Sequence, residues 1–527
     1  MTDRDAIVIG AGHNGLACAG YLARSGLSVK VLERRPVVGG AAVTEEFHPG
    51  FRNSVYAYAV SLLHPDVVRD LELHRHGLEI IERPAGTISL LEGDHLLLSR
   101  DPHQARREIA RFSPADAACF DEYDEHISAV ALTLRELAVH TPPDLSGGWR
   151  NALRLLRTGN TLRKLGRRQR TDLAELMTKS LGDYLDSWFE SDALKGILGL
   201  ECVIGNFVDP YQAGTAYVLL HHAFGEVNGR TGAWGHAKGG MGAITQAMAA
   251  FAREQGAEIE TDAPVRQIRV KNGQAHGVIT EDGRLHEARV IAANLHPQLL
   301  LTRLLDPGLL EPATRRRIRA YRSHSATFRM NVALGELPRF AGVPEQSDEI
   351  FKGAIEICPS LGYMRRAYAS AQTAGWSDHP IISMWLPSTQ DESLAPAGGH
   401  VASLFCQHFQ RHLPDGRSWD DEKEGAADHI IDTVNRHAPN FRASILGRQI
   451  KTPLDIERDL GMVGGDIFHG ALHLDQLFSL RPLAGHADYR MPVKSLFLCG
   501  SGAHPGGGVT GLPGRNAAHE ILRTLRT

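Results

Sequence analysis

The sequence contains few cysteines, and their spacing excludes the usual cysteine-based sites. Six cysteines are spread widely over the 527 residues. No two of them form a CxxC pair, so neither a zinc knuckle nor a dithiol redox pair is indicated, and we expect no metal site. Cysteine usage of this kind is typical of a reducing cytoplasm, which is therefore the expected location.

Long apolar runs and an excess of one charge are also missing. No run of 18 apolar residues is present, so we expect no membrane-spanning helix. The first residues contain neither a basic nor an apolar stretch before a strand pattern begins at Ala6, so no cleavable targeting peptide is expected. Arg and Lys total 57 against 61 acidic residues, a net charge of -4 that gives no reason to expect a nucleic-acid partner.

A glycine-rich turn near the start of the chain carries the clearest positive signal. Residues 5–9 have the pattern of a short buried strand and lead into a GxGxxG motif at 10–15. A helix pattern follows to Ala23, and residues 28–32 have the pattern of a second strand that ends at Glu33. This order of elements predicts a Rossmann-like dinucleotide-binding unit.

Each position of the motif has a physical role in binding a dinucleotide. Gly10 permits the tight turn, Gly12 lets the backbone approach a pyrophosphate, and Gly15 permits close packing of helix on strand. The phosphates would bind the free N–H groups at the helix N-terminus, where the helix dipole favours an anion. Glu33, 18 residues after Gly15, is placed to accept hydrogen bonds from a ribose diol. The other motif residues expected to line the phosphate loop are His13 and Asn14.

The segment after Glu33 favours FAD over NAD. The pair Gly39-Gly40 follows Glu33 by six residues, which resembles the extended FAD signature of glutathione-reductase-type and amine-oxidase-type flavoproteins. Arg34 and Arg35 would suit the 2′-phosphate of NADP, but Glu33 would repel that group, so Arg34 is counted with the FAD-binding residues. No second GxGxxG is apparent, which argues against a separate NAD(P)H domain.

The C-terminal end carries a second glycine-rich turn. A strand pattern over 494–499 is followed by seven glycines from Gly500 to Gly514, and a helix pattern runs from Arg515 to Leu525. Backbone N–H groups in such a turn bind an anion or a developing negative charge. Cys499 is expected inside the buried strand, so FAD attachment should be non-covalent. Cofactor contacts are expected from Gly500, Gly508, Val509, Thr510 and Gly511.

These motifs, together with later segments, resemble the phytoene-desaturase-like flavoproteins. Residues 506–514 and 452–458 carry the general resemblance. Residues 464–470 and 475–478 are similar to the branch called pyridine nucleotide-disulfide oxidoreductase domain-containing protein 2. The matches extend over 6–519, so the whole chain is covered. The branch name refers to a redox disulfide that this sequence lacks, and that chemistry is not carried over.

The resemblance implies an α/β fold with a Rossmann-like, glutathione-reductase-type FAD-binding domain, a discontinuous α+β substrate domain and a helical cap. The FAD-binding domain is expected to comprise the segments 1–90, 232–298 and 488–527. The substrate domain would fill 91–231 and 299–487.

Smaller features are expected within these segments. Residues 101–200 should be largely helical and form the cap, and strands at 325–335 and 381–387 should belong to a floor sheet. The backbone at Val265 matches a position that commonly faces the adenine in the family.

Residues 145–171 carry eight basic residues and no acidic one, interleaved with leucines, with a helix break expected at Gly159-Asn160. A basic amphipathic element can bind an anionic membrane surface, which would suit an enzyme that draws lipid-like substrates from a bilayer. A solvated helical face or a subunit contact is the more usual role of such a stretch. Peripheral membrane contact through 150–170 is therefore one alternative, and the oligomeric state stays open.

The resemblance implies an FAD-dependent desaturase or dehydrogenase that acts on a hydrophobic, unsaturated, isoprenoid- or lipid-like small molecule by hydride transfer to flavin N5. Three alternatives remain: redox-neutral isomerisation or saturation, amine oxidation, and a flavin-stabilised regulatory protein with little turnover. A closed apolar tunnel would favour the first function. The catalytic candidates are His504, inside the C-terminal turn, and His469, inside the segment 464–470, although most of the 27 histidines must be structural.

Overall fold

The computed structural model describes residues 4–144, 147–223, 225–324, 327–343 and 349–526. The first two residues of the predicted strand 325–335 lie outside this set, as does the side chain of Arg150. A few residues of the predicted domain segments 1–90, 91–231, 299–487 and 488–527 also lie outside it.

Twenty strands are assigned within the described residues. In chain order they are β1 (Arg4–Ile9), β2 (Val29–Leu32), β3 (Thr44–His48), β4 (Phe51–Ser54), β5 (Ile80–Glu82), β6 (Thr87–Leu90), β7 (His95–Leu98), β8 (Glu226–Val227), β9 (Arg230–Thr231), β10 (Gly235–Ala237), β11 (Glu258–Glu260), β12 (Val265–Lys271), β13 (Gln274–Thr280), β14 (Leu285–Ala293), β15 (Phe328–Leu334), β16 (Ala354–Ile357), β17 (Trp376–Trp385), β18 (His400–Phe409), β19 (Ile445–Lys451) and β20 (Leu496–Leu498).

Seventeen α-helices are assigned in the same residues. In chain order they are α1 (His13–Arg24), α2 (Pro65–Asp70), α3 (Pro102–Phe112), α4 (Pro114–Ala138), α5 (Trp149–Lys164), α6 (Arg167–Thr178), α7 (Leu181–Asp186), α8 (Asp192–Val203), α9 (Tyr217–Ala223), α10 (Gly242–Glu254), α11 (Pro297–Leu299), α12 (Pro312–Arg319), α13 (Leu361–Ala374), α14 (Trp419–His437), α15 (Phe441–Ser444), α16 (Pro453–Leu460) and α17 (Leu512–Leu525).

The first sheet is built around β1, whose residues from Ala6 to Ile9 are fully buried. Its parallel part has the order β11-β2-β1-β14-β20, and β13 and β12 extend it antiparallel from the first residues of β14. Helix α1 lies against it and packs on α10 and α17. A parallel sheet covered in this way explains why its strands are continuous apolar runs rather than alternating ones.

The strands of the first sheet come from three distant parts of the chain. They lie within 4–32, 258–293 and 496–498, and each part falls inside one segment that the sequence predicts for FAD binding. The segment 1–90, however, also contains β6, which pairs with β16 and β7 in the second sheet. The last residues of the segment 1–90 therefore contribute their strand to the second sheet and not to the first.

The second sheet is mixed and has the order β19-β15-β18-β17-β16-β6-β7. On β15, Phe328 and Met330 point to an apolar face that packs against the buried Trp419 of α14. The alternate residues Arg329 and Asn331 point to the opposite face, where they are also buried. This second face is polar and contributes to the candidate site.

Two local predictions differ from the structure. The strand predicted at 381–387 overlaps the last part of β17, which begins earlier, at Trp376, and ends at Trp385. An irregularity in the pairing of β17 before Ile381 interrupts the alternation of residues between the two faces. The helix break predicted at Gly159-Asn160 is wrong, because α5 continues to Lys164. The break between helices lies at Gly166 instead. There the Gln169 side chain accepts a hydrogen bond from the Gly166 N–H at 2.9 Å and caps the start of α6.

The cap comprises helices α3 to α9. On α5, Trp149, Leu153 and Leu156 share one face at helical spacing and are 71%, 56% and 70% exposed. Within the described part of the chain, the helices are all too short or too polar to cross a bilayer.

A buried histidine–aspartate hydrogen bond joins β10 to the loop that precedes β18. His236 Nε2 lies 2.9 Å from Asp391 Oδ2, and both side chains are almost fully buried. Asp391 also accepts hydrogen bonds from the Gly239 N–H at 2.6 Å and the Ser393 hydroxyl at 2.6 Å. Burial alone raises the pKa of Asp391, but these hydrogen bonds outweigh it and hold the pKa well below its usual value.

We expect Asp391→Asn to lower the free energy of unfolding by at least about 2 kcal/mol at pH 7, because one oxygen cannot serve all these donors. The folded pKa of Asp391 is depressed, so the stabilisation is complete above its usual value of 3.8 and is lost as the pH falls further. Denaturant unfolding of both proteins at several pH values measures this difference.

The matched control is Asp378→Asn, since Asp378 and His379 form an exposed pair at 2.8 Å. An exposed pair of this kind should change stability by less than about 1 kcal/mol. Equal effects of the two substitutions would contradict a structural role for the buried pair.

Candidate functional site

A cavity of about 380 Å³ opens where the carboxyl ends of β1, β2 and β14 meet. Parallel strands end at one edge of a sheet, so the loops that follow them converge there. The same cavity extends to residues of β15 and β18, so both sheets line it. The nucleotide motif and the polar face of the second sheet therefore share one cavity.

Glu33 lies at the end of β2 with its carboxylate held by the backbone. The Ala11 N–H donates to Oε2 at 2.7 Å and the Arg35 N–H donates to Oε1 at 2.9 Å. Each carboxylate oxygen keeps a second lone pair, and Glu33 lines the cavity. A diol placed beside it can donate to both oxygens, which fits the ribose contact expected from the sequence.

The glycines of the turn let neighbouring segments approach more closely than side chains would permit. A Cβ on Gly15 would lie 2.0 Å from the Gly10 carbonyl oxygen, and a Cβ on Gly12 would lie 2.8 Å from the Asn294 amide. Gly40 has φ +56°, and its Cβ would approach the Gly12 Cα to 3.1 Å. The two glycine loops therefore contact each other directly and form a cradle of backbone at the N-terminus of α1.

Asn294 belongs to this cradle, although it is absent from the predicted site residues. Its backbone N–H donates to the Ile9 carbonyl at 2.8 Å, and with its amide oxygen turned toward the loop it accepts the N–H groups of Gly12 and Gly15 at 3.3 Å. Asn294 directly follows β14, which lies beside β1. A polar residue at that position is a signal that sequence reasoning could have used.

The C-terminal turn meets the first turn at the beginning of α17. Gly508 and Val509 line the cavity and both have positive φ angles, +104° and +58°. Asn14 donates through Nδ2 to the Ser501 hydroxyl at 3.1 Å, and a Cβ on Gly514 would lie 2.0 Å from the Asn14 carbonyl oxygen. Helices α1 and α17 thus pack backbone to backbone beside the cavity.

The structure brings most of the predicted cofactor-binding residues, and one of the two predicted catalytic histidines, to the cavity wall. Those that line it are Gly10, Gly12, His13, Glu33, Arg34, Gly40, Val265, His469, Gly508 and Val509. Those that lie behind the wall or elsewhere are Asn14, Gly15, Gly39, Gly500, Thr510, Gly511 and His504. Of the second group, Gly39 donates its N–H to the Ala11 carbonyl at 2.9 Å and so positions the loop itself.

His504, predicted to lie near the flavin, points away from the cavity. Its Nε2 lies 3.4 Å from the Leu137 carbonyl of the cap, and its ring packs against Phe478. Burial lowers the pKa of His504 to about 4, so the ring is neutral at neutral pH. This geometry gives His504 a packing role.

His469 lies on the cavity wall with φ +56°, in the loop between α16 and β20. The Tyr321 hydroxyl donates to its carbonyl oxygen at 2.8 Å. Burial lowers the pKa of His469 to about 3 and that of His13 to about 4, so both imidazoles are neutral and weakly basic. These histidines can donate or accept hydrogen bonds in the cavity, but neither is suited to hold a proton at neutral pH.

Arg481 fixes the His469 loop to the C-terminal turn. This fully buried side chain donates to the carbonyl oxygens of Ser501 at 2.8 Å and Phe468 at 2.5 Å, and also to those of Gly470 and Gln476. One guanidinium thus satisfies several carbonyls from two loops that line or support the cavity.

Arg329 forms the other charged part of the wall, and the predicted site residues do not include it. It is 2% exposed and donates to the Leu404 carbonyl at 2.7 Å and the Ser403 hydroxyl at 2.8 Å. Its guanidinium carbon lies 4.7 Å from the Tyr58 ring centroid. Burial lowers the pKa of Arg329 to about 10, so the group stays charged at neutral pH.

The free-energy cost of burying the Arg329 charge is only partly offset by its contacts with the protein. A cation–π contact of this kind contributes about 0.5–2 kcal/mol, whereas burial of an ion costs several kcal/mol. Around Arg329, the described residues supply no carboxylate within ion-pair distance. Phe405 lies beside Arg329, and Leu62 and Ile204 add apolar surface to the same cavity. The cavity is therefore mixed in character rather than a closed apolar tunnel.

Comparison with known proteins agrees with this architecture. A family model described as flavin containing amine oxidoreductase matches residues 15–328. Pyridine nucleotide-disulfide oxidoreductase domain-containing protein 2 of Rattus norvegicus is 40% identical over 544 residues, which covers 99% of this chain and 94% of that protein. A phytoene desaturase (lycopene-forming) of Pseudescherichia vulneris is 25% identical over 538 residues, 96% of each chain.

Among solved structures, the cyclohexylamine oxidase from Brevibacterium oxydans IH-35A aligns over 100% of both chains with a TM-score of 0.60 and 17% identity. At that identity the likeness concerns the fold alone. Together the comparisons confirm the predicted relationship to phytoene-desaturase-like flavoproteins, the suspected branch, the α/β fold of FAD-binding oxidases and FAD as the cofactor.

We expect Arg481→Met to lower the free energy of unfolding by at least about 3 kcal/mol, because several buried carbonyls lose their donor. The loops that carry His469 and Ser501 should also separate more readily, so FAD should dissociate faster. Denaturant unfolding and the fraction of bound flavin after gel filtration measure the two effects.

The control is Arg339→Met, since the Arg339 side chain is 74% exposed and pairs only with its neighbour Glu336 within the part of the chain described. That variant should stay within about 0.5 kcal/mol of the parent protein. Similar losses in both variants would contradict the clamp role of Arg481.

Proposed function

The chain belongs to the family of flavin-containing amine oxidoreductases, and we propose that within it the protein dehydrogenates a small, largely hydrophobic, unsaturated molecule. It is an FAD-dependent oxidoreductase, and the finer assignment concerns its substrate and reaction. The observation that carries the proposal is one cavity that joins the dinucleotide cradle to a wall that includes Arg329 and Phe405 of the second sheet and Ile204, which follows α8.

Different residues of the cavity would bind different parts of FAD. Glu33 would accept hydrogen bonds from the ribose, and backbone N–H groups at the start of α1 would bind the pyrophosphate. We propose that these contacts hold FAD non-covalently.

When bound, FAD supplies the hydride acceptor at N5. The apolar side chains of Leu62, Ile204 and Phe405 would hold a carbon skeleton and exclude water from it. His13 and His469, neutral and weakly basic, would act as hydrogen-bond partners and leave the proton to another acceptor.

Two alternatives are less well supported. Amine oxidation would place an ammonium group near the buried cation Arg329, which would repel it, and the described residues on the cavity wall include no lysine. Redox-neutral isomerisation or saturation would use the same cavity, and the name of the phytoene desaturase relative favours desaturation over them.

The deciding experiment follows the visible absorption of the FAD-bound protein under anaerobic conditions. Polyenes, enoic acids and amines are added in turn, and we expect the flavin bands to bleach with an unsaturated hydrophobic compound and not with amines. A flavin that every compound leaves oxidised, but that dithionite bleaches, would contradict dehydrogenation and favour isomerisation or a regulatory role.

A pair of glycine variants serves as control for the cofactor. Gly40→Ala places a side chain 3.1 Å from the Gly12 Cα and should yield a colourless protein. Gly26→Ala adds a side chain at a similarly positive φ, +85°, in open space, and should keep its flavin. Flavin retention in the first variant would contradict the cradle.

We also propose that α5 contacts an anionic membrane surface peripherally. Support comes from the exposed face of Trp149, Leu153 and Leu156 on a helix that also carries exposed basic residues such as Arg157 and Arg163. Apolar side chains at the interface and cations near anionic lipids stabilise such contact. This arrangement would give a lipid-like substrate a short route from the bilayer to the protein.

Vesicle sedimentation tests the contact. The protein should bind vesicles that contain phosphatidylglycerol more strongly than vesicles of phosphatidylcholine alone, and Leu153→Ser with Leu156→Ser should reduce binding at least about tenfold. Leu446→Ser, at a residue 54% exposed elsewhere on the surface, is the control. Equal binding of all three proteins to both vesicles would contradict the proposal.

A further inference from the structure

We propose that the substrate is an amphipathic acid whose carboxylate binds Arg329, with its apolar part against the neighbouring cavity wall. This inference rests on the proposed function, since it assigns the substrate class of the same cavity. It starts from the three arginines that are buried among the described residues, which are Arg83, Arg329 and Arg481.

Two of these arginines have other partners in the protein. Arg481 donates to carbonyl oxygens of four residues from two loops. Arg83 lies within the electrostatic reach of the buried carboxyl groups of Glu201 and Glu356. Neither of the two arginines lines the cavity.

Arg329 differs from both. It lines the cavity, and among the described residues the titratable groups that act on it are Tyr58 and Cys406. Its two protein acceptors, the Leu404 carbonyl and the Ser403 hydroxyl, are neutral. Its Nε has no hydrogen-bond partner within the described residues.

The geometry of the guanidinium favours a carboxylate as the missing partner. An arginine carries five N–H donors in a planar fork, and only two of them are used here. A carboxylate can accept two parallel hydrogen bonds from such a fork, and a buried cation that faces a cavity has most to gain from an anion. An alcohol, an alkene or an ammonium group cannot neutralise it.

The surroundings of Arg329 define the rest of the ligand. Tyr58 and Phe405 present their rings to the guanidinium, with centroids at 4.7 and 5.7 Å, and hold it in place. Leu62, Ile204 and Phe468 supply apolar wall in the same cavity. A molecule with one carboxylate and an apolar chain matches both parts of this surface.

The test uses the FAD-bound protein and three ten-carbon probes, which are decanoate, decanol and decylamine. Their binding is measured by calorimetry and by the change they cause in the flavin spectrum. We expect decanoate to bind at least about tenfold more tightly than decanol, because a hydrogen-bonded charge pair is worth more than a neutral contact. Decylamine should bind most weakly.

Variants identify the group responsible. Arg329→Gln should abolish the preference for decanoate and leave decanol binding unchanged, whereas Arg329→Lys should retain part of the preference. The control is Arg366→Gln, an exposed arginine that also lies over an aromatic ring, at 5.9 Å from Tyr363, and should behave as the parent protein does.

Several results would overturn the proposal. Equal binding of decanoate and decanol to the parent protein would do so, as would a preference for decanoate that survives in Arg329→Gln. If Arg329→Gln changes the reduction potential of the flavin but not the preference for decanoate, the charge of Arg329 acts on the cofactor instead of on the substrate. If Arg329→Gln does not fold, the comparison of decanoate with its methyl ester on the parent protein decides.

The outcomes also separate this inference from the proposed function. Tight binding of decanoate with no bleaching of the flavin by any unsaturated compound would keep the anion site and remove dehydrogenation. Bleaching by a neutral polyene with no preference for acids would keep dehydrogenation and remove the anion site.

Discussion

The close packing of α1 is the constraint on which the rest of the site depends. Helix α1 touches the first turn at Gly15 and touches α17 at Gly514, and at both points an added Cβ would lie 2.0 Å from a carbonyl oxygen. Because these contacts are backbone to backbone, the start of α1 is fixed against β1 and against the C-terminal turn at once. Glu33, Asn294 and Val509 then reach a common cavity without any further adjustment of the chain.

The parts of the site that are local in sequence could be predicted, because strand, turn and helix follow one another within about thirty residues in such a unit. The residues of the second sheet could not, since Arg329 and Phe405 become neighbours only when β15 pairs with β18. A usable signal was present in the alternation of Arg329 and Asn331 with apolar residues on one strand, which marks a polar buried face. His504 shows the opposite error: it stands beside the flavin turn in sequence, but its ring faces the cap.

The polar face of the second sheet explains why the cavity is not a simple apolar tunnel. Strand register places Ser89, Glu356 and Ser383 side by side, and it places Arg329 opposite Phe405 on the same face. The other face is apolar and packs on α14, as a half-buried sheet requires. Polar groups on the first face are buried as well, so each needs a partner from the cap, from a neighbouring strand or from a bound molecule.

The charges in the cavity limit the chemistry that it can support. His13 and His469 are neutral because burial disfavours their protonated forms, and Arg329 is positive because no common pH removes its proton. The carboxylates on the described cavity wall are Glu33, Glu281 and Asp459. Glu33 already accepts backbone N–H groups at the ribose end, and Asp459 is paired with Lys451 at 2.6 Å. The part of the cavity near the second sheet is therefore positive, and a positive, poorly solvated region stabilises an anion and repels an ammonium group. This local positive charge follows from one arginine and the absence of a counter-charge among the described residues around it.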